Sequence, residues 1–205
     1  MWQEKQAHVL IFLADIILSM NEVVGRAEYK IADAAKALKA DFRGKVVLDI
    51  GSSTGGFTEF ALRSGASKVI AVEKGTGQMK APLCFDPRVE LHEKTDIFEF
   101  TLSEPVDLIL ADVSFVSLRE VLAYARRMLA APGTEFLVML KPQFEARPFQ
   151  LKNGVVKNSK MRREIIADFE LWLKTNGFVI AGKRDNEVAG RFGNVERFYY
   201  LKLAK

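Results

Sequence analysis

The sequence predicts an α/β fold in which helices cover a doubly wound, mostly parallel sheet of seven strands. From residue 45 onward, short apolar runs alternate with longer amphipathic stretches. Runs that are apolar at nearly every position are typical of strands that helices bury on both faces of a parallel sheet. The last two runs, 178–182 and 197–203, have no helix between them. We therefore expect them to form an antiparallel pair at the end of the sheet.

Most elements of this fold have a recognisable start or stop in the sequence. The first five strands are predicted at 46–50, 68–72, 88–92, 106–111 and 135–140. Helices are predicted where the sequence is amphipathic, at 57–64, 118–130 and 160–176. The residues that end these helices are ones that commonly do so, namely Gly65, Pro132-Gly133 and Gly177. A further helix, 26–40, leads into the first strand.

The length of 205 residues suits one domain with a short appendage. We expect residues 26–205 to form the sheet domain, and residues 1–25 to form a helical appendage or the remnant of a preceding module. The apolar run 8–18 is shorter than the roughly 20 residues that a membrane span needs, and it contains Asp15. No stable association with a membrane is therefore expected.

The composition is typical of a soluble globular protein, with 49% apolar and 27% charged residues. A net charge of +4 modestly favours anionic partners such as nucleic acid. Cys84 is the single cysteine, which excludes an intramolecular disulfide and a cysteine-rich metal site and agrees with a cytoplasmic location. The two histidines have no clustered ligands beside them, so no metal site is predicted.

A glycine-rich loop follows the first strand, where open α/β sheets bind ligands. It has the pattern G-x-S-x-G-G rather than the G-x-G-x-x-G of dinucleotide sites. Asp49 lies just before this loop, where its carboxylate could orient the loop or hold the amino group of a methionine moiety. This combination favours S-adenosylmethionine over a dinucleotide, although a purely structural turn remains possible. The predicted cofactor residues here are Asp49, Gly51, Ser52, Ser53, Thr54, Gly55, Gly56 and Phe57.

Acidic residues also follow three later strands of the predicted sheet. Glu73 follows the second strand, 22 residues after Gly51, where an acid can bind ribose hydroxyls. Thr95-Asp96 follows the third strand, where an acid can reach an adenine amino group, and Asp112 follows the fourth. A solvated loop acid would explain any one of them alone. Their recurrence at one edge predicts a cofactor site.

A lysine, Lys141, follows the fifth strand at the same edge as Asp112. A buried ammonium group is costly unless it is paired, so Asp112 is its candidate partner. The alternative is a charge at the rim of the cleft.

The chain resembles the TlyA family, often labelled hemolysins, whose members are similar to FtsJ-type ribosomal RNA 2′-O-methyltransferases. The motifs that carry the resemblance are DIGSSTGGFTEFALRSGASKVIAVEKGTGQM, ADVSFVSL, VMLKPQFEA, NGVVKN and GNVERF. The resemblance implies a class I methyltransferase sheet, S-adenosylmethionine as cofactor, and ribosomal RNA or a ribosomal subunit as partner. It also implies a catalytic tetrad of Lys30, Asp112, Lys141 and Glu196. Family members usually have an N-terminal S4 RNA-binding module, for which residues 1–25 are too few.

These residue types suit transfer of a methyl group to a ribose hydroxyl, which is a poor nucleophile. The donor's sulfonium is already activated, so catalysis needs orientation and the removal or polarisation of one proton. Lys141 would act as a base or as a cation that stabilises the forming alkoxide, with Asp112 and Glu196 positioning the two ammonium groups. The basic residues Lys157, Lys160, Arg162 and Arg163 could contact RNA or simply be solvated.

Three other functions compete with this hypothesis. The chain could be an RNA- or S-adenosylmethionine-binding protein without turnover. The hemolysin label suggests a membrane-active protein, which no apolar span supports. A nicotinamide oxidoreductase would have the same kind of sheet, but the loop pattern and the antiparallel final pair disfavour it.

Overall fold

The computed structural model describes residues 26–186 and 193–204. The helices are α1 (Arg26–Leu38), α2 (Gly56–Arg63), α3 (Leu118–Met128), α4 (Pro142–Glu145) and α5 (Ser159–Thr175). The strands are β1 (Val46–Ile50), β2 (Lys68–Val72), β3 (Val89–His92), β4 (Leu108–Ala111), β5 (Glu135–Leu140), β6 (Leu151–Lys152), β7 (Val155–Val156), β8 (Phe178–Asp185) and β9 (Arg197–Leu203). The expected appendage, residues 1–25, lies outside the described residues.

Seven strands form one sheet in the order β3-β2-β1-β4-β5-β9-β8. Strands β1 to β5 are parallel to their neighbours, whereas β9 is antiparallel to both β5 and β8. The predicted fold class and the antiparallel ending are therefore confirmed. The strand order reverses at β1, which lies between β2 and β4, and this is the position where open α/β sheets bind ligands.

Helices bury both faces of the sheet, which is why its strands are apolar along their whole length. Successive strand residues point to opposite faces. On one face Leu48, Ile109 and Phe136 pack with α3 and α5. On the other face Val47 and Leu108 pack with α1 and α2. Every residue of β4 is fully buried, as expected for a central strand covered on both sides.

The helix and strand limits differ from the predicted ones by a few residues, for local reasons. The first helix ends at Leu38 because Lys39 has a φ of 54°, which is not helical. The fourth strand begins at Leu108, since the Val106 carbonyl accepts a hydrogen bond from the Thr134 hydroxyl at 2.7 Å. The eighth strand continues to Asp185.

The short helix α4 and the hairpin of β6 and β7 were not predicted. Helix α4 follows β5 immediately, with Pro142 at its first position, where a missing N–H costs nothing. Strands β6 and β7 form a hairpin around Asn153-Gly154, whose φ values of 52° and 76° suit a two-residue turn. In the described part of the chain, no helix has both the length and the apolar character needed to cross a membrane.

Helix α1 is held close to the loop that follows β1. A Cβ atom on Gly56 would lie 2.9 Å from the Cβ of Ala27, so only glycine permits this approach without displacement. Ala27 is one helical turn before Lys30 on α1. The contact therefore brings Lys30 to the carboxyl edge of the sheet.

Candidate active site

Two ion pairs lie beyond the carboxyl edge of the sheet, and they contain the four predicted catalytic residues. The Lys141 Nζ lies 2.6 Å from the Asp112 Oδ1, and the Lys30 Nζ lies 2.5 Å from the Glu196 Oε2. In the antiparallel register of β5 and β9, Leu140 pairs with Arg197. Lys141 directly follows β5 and Glu196 directly precedes β9, so the two ion pairs are neighbours.

Lys141 is largely withdrawn from solvent and is held from two sides. Its side chain is 12% exposed, and its Nζ donates a hydrogen bond to the Ser114 hydroxyl at 2.8 Å. Asp112 and Ser114 both belong to the segment that follows β4. An ammonium group has three N–H donors, so these two partners leave one for another group.

Glu196 is fixed by more than its ion pair with Lys30. Its side chain is 6% exposed, and its Oε2 accepts a hydrogen bond from the Asn186 Nδ2 at 3.3 Å. The Asn186 backbone N–H donates to the Glu196 carbonyl at 2.9 Å. The acid therefore has a defined position before any ligand binds.

The chain just before Glu196 is clamped to the β6–β7 hairpin by Asn194, which is 5% exposed. Its Oδ1 accepts a hydrogen bond from the Val156 N–H at 3.0 Å, and its Nδ2 donates to the Gly154 carbonyl at 3.1 Å. In addition, the Arg162 Nε donates to the Val195 carbonyl at 3.0 Å. The hairpin, the start of α5 and Glu196 thus form one connected unit.

The glycine loop packs directly against the segment that carries Asp112. Gly51 has a φ of 79°, and a Cβ atom there would lie 3.0 Å from the Asp112 carbonyl oxygen. Both the conformation and the close approach therefore require glycine. Beside this loop lies a cavity of about 160 Å³, lined in part by Ser52, Ser53, Thr54, Gly56, Phe57, Asp112, Ser114 and Lys141.

A larger cleft of about 760 Å³ extends along the ends of β1, β2 and β4. Its lining includes Glu73, Thr95 and Asp96, three of the residues predicted to bind the cofactor. The Glu73 carboxylate accepts hydrogen bonds from the Ser53 N–H at 2.9 Å and the Gly75 N–H at 2.6 Å. Gly51, Ser53, Asp112 and Ser114 line both cavities, so the two spaces meet beside Lys141.

Asp96 also lines this cleft, and its carboxylate is held by two hydrogen bonds. Its Oδ1 accepts a hydrogen bond from the Phe98 N–H at 3.1 Å, and its Oδ2 accepts one from the Lys74 Nζ at 2.8 Å. The Lys74 ammonium holds the pKa of Asp96 below its usual value. Asp96 therefore presents an ionised carboxylate at neutral pH.

Asp49 lies behind the loop instead of in either cavity. It is fully buried, and its Oδ2 accepts a hydrogen bond from the Thr58 hydroxyl of α2 at 2.6 Å. Burial raises the pKa of Asp49 to about 7. The other carboxylate oxygen, Oδ1, is buried and has no hydrogen-bond partner among the described residues. Gly55, another predicted cofactor residue, also lines neither cavity.

A family model described as FtsJ-like methyltransferase matches residues 23–202. The chain belongs to the FtsJ-like methyltransferase family. This confirms the family relationship inferred from the motifs.

Relatives of this FtsJ-like chain include named ribosomal RNA methyltransferases. It is 34% identical over 184 residues to Bacillus subtilis YqxC, provisionally named an rRNA methyltransferase, covering 87% of this chain and 65% of that protein. It is 35% identical over 179 residues to Campylobacter jejuni TlyA, a 23S rRNA (cytidine-2′-O)-methyltransferase, covering 86% and 70%. The chain thus spans about two thirds of the length of these relatives.

A solved structure from Streptococcus thermophilus, provisionally named a hemolysin, has the same fold. It superimposes on the FtsJ-like chain with a TM-score of 0.85 and 30% sequence identity, covering 90% of this chain and 68% of that one.

Four residues of this FtsJ-like site were not among the predicted site residues. Ser114 contacts Lys141, and Gln78 accepts a hydrogen bond from the Ser53 hydroxyl at 3.0 Å. Phe115 lines the larger cleft with a φ of 64° and 93% exposure. Glu145 ties α4 to α3 through the Leu118 N–H, 2.6 Å away. All four lie within motifs that carried the resemblance, but motif membership alone does not show which residues face the site.

Replacing Asp49 with asparagine should change how the stability of the protein depends on pH. The pKa of Asp49 is about 7 in the folded protein and about 4 in an unfolded chain, so folding favours the protonated acid. Its contribution to stability is complete below about pH 4 and is lost as the pH rises to about 7. Asparagine keeps an acceptor for Thr58 and does not titrate.

The free energy of unfolding of the wild type, relative to Asp49→Asn, should therefore fall by about 1.4 kcal/mol per pH unit across this range. Urea unfolding of both proteins at several pH values measures that difference. A difference that stays constant from about pH 4 to about pH 7 would contradict the assignment.

Proposed function

We propose that this chain is a methyltransferase domain that transfers a methyl group from S-adenosylmethionine to a 2′-hydroxyl group of ribosomal RNA. The observation that carries the proposal is the Lys141–Asp112 ion pair at the junction of two cavities, with Lys30–Glu196 beside it. The two cavities together accommodate a methyl donor, whose reactive end would lie where they meet. A lysine between them is placed to handle the acceptor proton.

The larger cleft fits S-adenosylmethionine in size and in chemistry. Small-molecule sites have volumes of about 300–1,000 Å³, and this cleft has about 760 Å³. The Glu73 Oε2 accepts one backbone hydrogen bond and can also accept from ribose hydroxyls. Asp96 would accept from the adenine amino group. The buried Ser52 hydroxyl has no hydrogen-bond partner among the described residues, which leaves it available to the cofactor.

When bound, this cofactor supplies a methyl group already activated by a sulfonium charge. The protein therefore has to orient the acceptor oxygen and handle one proton. Lys141 would hold the 2′-hydroxyl through its remaining N–H, or accept the proton when neutral. Asp112 and Ser114 fix the Lys141 Nζ, while Lys30 and Glu196 position the ribose from the other side.

Phe115 would hold the base of the acceptor nucleotide. A phenylalanine at a φ of 64° is an outlier that costs energy, and this one turns a ring that is 93% exposed toward the mouth of the cleft. The ring centroids of Phe115 and Phe144 are 5.3 Å apart. Proteins that bind unpaired RNA nucleotides commonly stack the base on an exposed aromatic ring.

Ribosomal RNA is the acceptor that the relatives support. The Campylobacter jejuni relative is named for transfer to the 2′-oxygen of cytidine in 23S rRNA. The Lys–Asp and Lys–Glu pairs of this chain suit an oxygen acceptor whose proton must be removed or polarised.

Lys141→Ala should lower methyl transfer by at least about 100-fold, which is the lower range for a general acid–base group. The assay uses labelled S-adenosylmethionine with ribosomal subunits, and alkaline hydrolysis of the RNA distinguishes ribose from base methylation. Lys45→Ala is the matched control, because Lys45 is also ion-paired and part-buried, with Glu135 at 2.6 Å, but lies at the start of β1.

Equal incorporation by Lys141→Ala and Lys45→Ala would refute the proposed role of Lys141. A wild type that binds the cofactor but transfers nothing to any ribosomal RNA would favour a binding protein of the same fold.

Phe115→Ala should weaken RNA binding, because base–aromatic stacking contributes about 1–3 kcal/mol, or roughly 5- to 150-fold in affinity. Affinity for the cofactor, measured separately by calorimetry, should change little. Phe85→Ala is the control, since Phe85 is 80% exposed and lines neither cavity. If both variants bind RNA equally well, the stacking role is wrong.

A further inference from the structure

The positive charge of the chain is concentrated in one segment, residues 146–163, which we call the basic arm. The arm contains six lysines and arginines and no acidic residue. The other 187 residues contain 24 basic and 26 acidic side chains. The net positive charge of the whole chain therefore depends on 18 residues that begin five positions after Lys141.

Most of the arm's cations are exposed and unpaired, unlike many cations elsewhere in the chain. Arg147, Lys152, Lys157 and Arg163 are exposed, and no carboxylate of the described residues lies within 4.0 Å of their charged groups. By contrast, lysines at other edges have partners, such as Lys68 with Glu104. Unpaired cations retain their full attraction for an anionic partner.

The basic arm has a defined shape because its backbone is anchored. The Lys157 N–H donates to the Gln150 carbonyl at 3.0 Å and closes the base of the β6–β7 hairpin. The Asn158 side chain caps α5 by accepting a hydrogen bond from the Met161 N–H at 2.9 Å. Asn194 clamps the hairpin to the segment that carries Glu196. The backbone that carries the cations is thus held at a fixed position relative to the site.

We propose that the basic arm binds the phosphate backbone of the acceptor RNA, on the flank of the nucleotide held beside Lys141. This proposal rests on the proposed function. Nucleic-acid backbones are held by arrays of lysine and arginine, which fix the register of the strand without reading its sequence. Phe149, 59% exposed within the arm, is available to stack on an unpaired base. The continuity of the arm with α4 and Lys141 favours RNA over an anionic membrane surface.

The test compares two triple variants that remove equal charge. The arm variant is Lys152→Gln, Lys157→Gln and Arg163→Gln. The control is Lys36→Gln, Arg127→Gln and Lys174→Gln, which lie on exposed surface toward the carboxyl ends of α1, α3 and α5, at the opposite edge of the sheet. Binding to ribosomal RNA is measured over a range of salt concentrations, without cofactor.

The arm variant should bind at least about 10-fold more weakly than wild type near 0.1 M salt, and its slope of log affinity against log salt should fall by about 2 to 3. The control should stay within about twofold at the same salt. Equal RNA affinity of both variants would overturn the proposal. So would loss of binding to anionic phospholipid vesicles by the arm variant while its RNA affinity stays unchanged.

This binding measurement does not depend on catalysis. If the wild type binds RNA but transfers no methyl group, and the arm variant binds RNA more weakly, the proposed function is wrong and the proposed role of the basic arm is supported.

A second inference comes from Glu145, a buried carboxylate that the proposed chemistry does not use. Its side chain is 2% exposed, and burial raises its pKa. It accepts hydrogen bonds from the Ser117 hydroxyl at 2.8 Å and the Leu118 N–H at 2.6 Å, and the Arg119 Nε lies 3.4 Å away. Glu145 thus joins α4, which begins after Lys141, to the start of α3.

We infer that Glu145 is a positioning residue for the Lys141–Asp112 pair. The segment from Asp112 to Ser117 connects β4 to α3, and Glu145 holds its far end. Without this tie, Asp112 and Ser114 would no longer be fixed against the Lys141 Nζ. The residue itself lines neither cavity, so it acts through the residues it holds.

Glu145→Ala should lower kcat by about 10-fold or more with little change in the KM for RNA, because geometry rather than binding is disturbed. Glu145→Gln, which retains an acceptor for the Leu118 N–H, should recover most of that activity. Glu135→Ala is the control, since Glu135 is also part-buried and accepts a hydrogen bond from the Lys45 Nζ at 2.6 Å, but lies at the start of β5, at the opposite edge of the sheet.

Thermal unfolding of all three variants separates loss of stability from loss of positioning. The inference fails if Glu145→Ala lowers kcat no more than Glu135→Ala does. It also fails if Glu145→Gln is as inactive as Glu145→Ala.

Discussion

Lys141 and Asp112 can meet because β4 and β5 are parallel neighbours, with Ala111 beside Val138 in the register of the sheet. Parallel strands end at the same edge, and β5 extends two residues beyond the end of β4, which places Lys141 just past Asp112. Because the resulting ammonium is 12% exposed, it needs a partner: an unpaired charge in such a place costs several kcal/mol. Asp112 meets that requirement at 2.6 Å. The register of two strands thus determines which carboxylate pairs with the lysine of the candidate active site.

The second ion pair allows two lysines to lie at the same edge of the sheet. Lys30 and Lys141 would repel each other if they were alone at one edge. Glu196 and Asp112 bring the charge of the group to zero, and each carboxylate has its own lysine within 2.6 Å. Four ionisable residues can therefore lie together at one edge without a net formal charge.

The sequence could predict what depends on local pattern. The apolar runs of β1, β2 and β5 marked those strands to the residue, and the residues that follow β1, β2 and β4 indicated the cofactor edge. What depends on contacts distant in sequence was not visible. Asn194 clamps a hairpin 38 to 40 residues away, and Glu145 reaches Leu118, 27 residues away. Nothing near either residue indicates its partner. Asp49 shows the same limit, because its place before the loop suggested two roles and did not indicate its hydrogen bond to Thr58 on α2.

The antiparallel direction of β9 determines which of its flanking residues lies in the candidate site. A strand parallel to β5 would bring to the cofactor edge the residue that follows it, whereas β9 brings the residue that precedes it, Glu196. The chain that leads into β9 must therefore pass along the active edge, and this is where Asn194 clamps the β6–β7 hairpin. One reversed strand thus places the acid beside Lys30 and ties it to the basic arm. The basic arm and Glu196 are therefore joined through the hydrogen bonds of Asn194 and Val195.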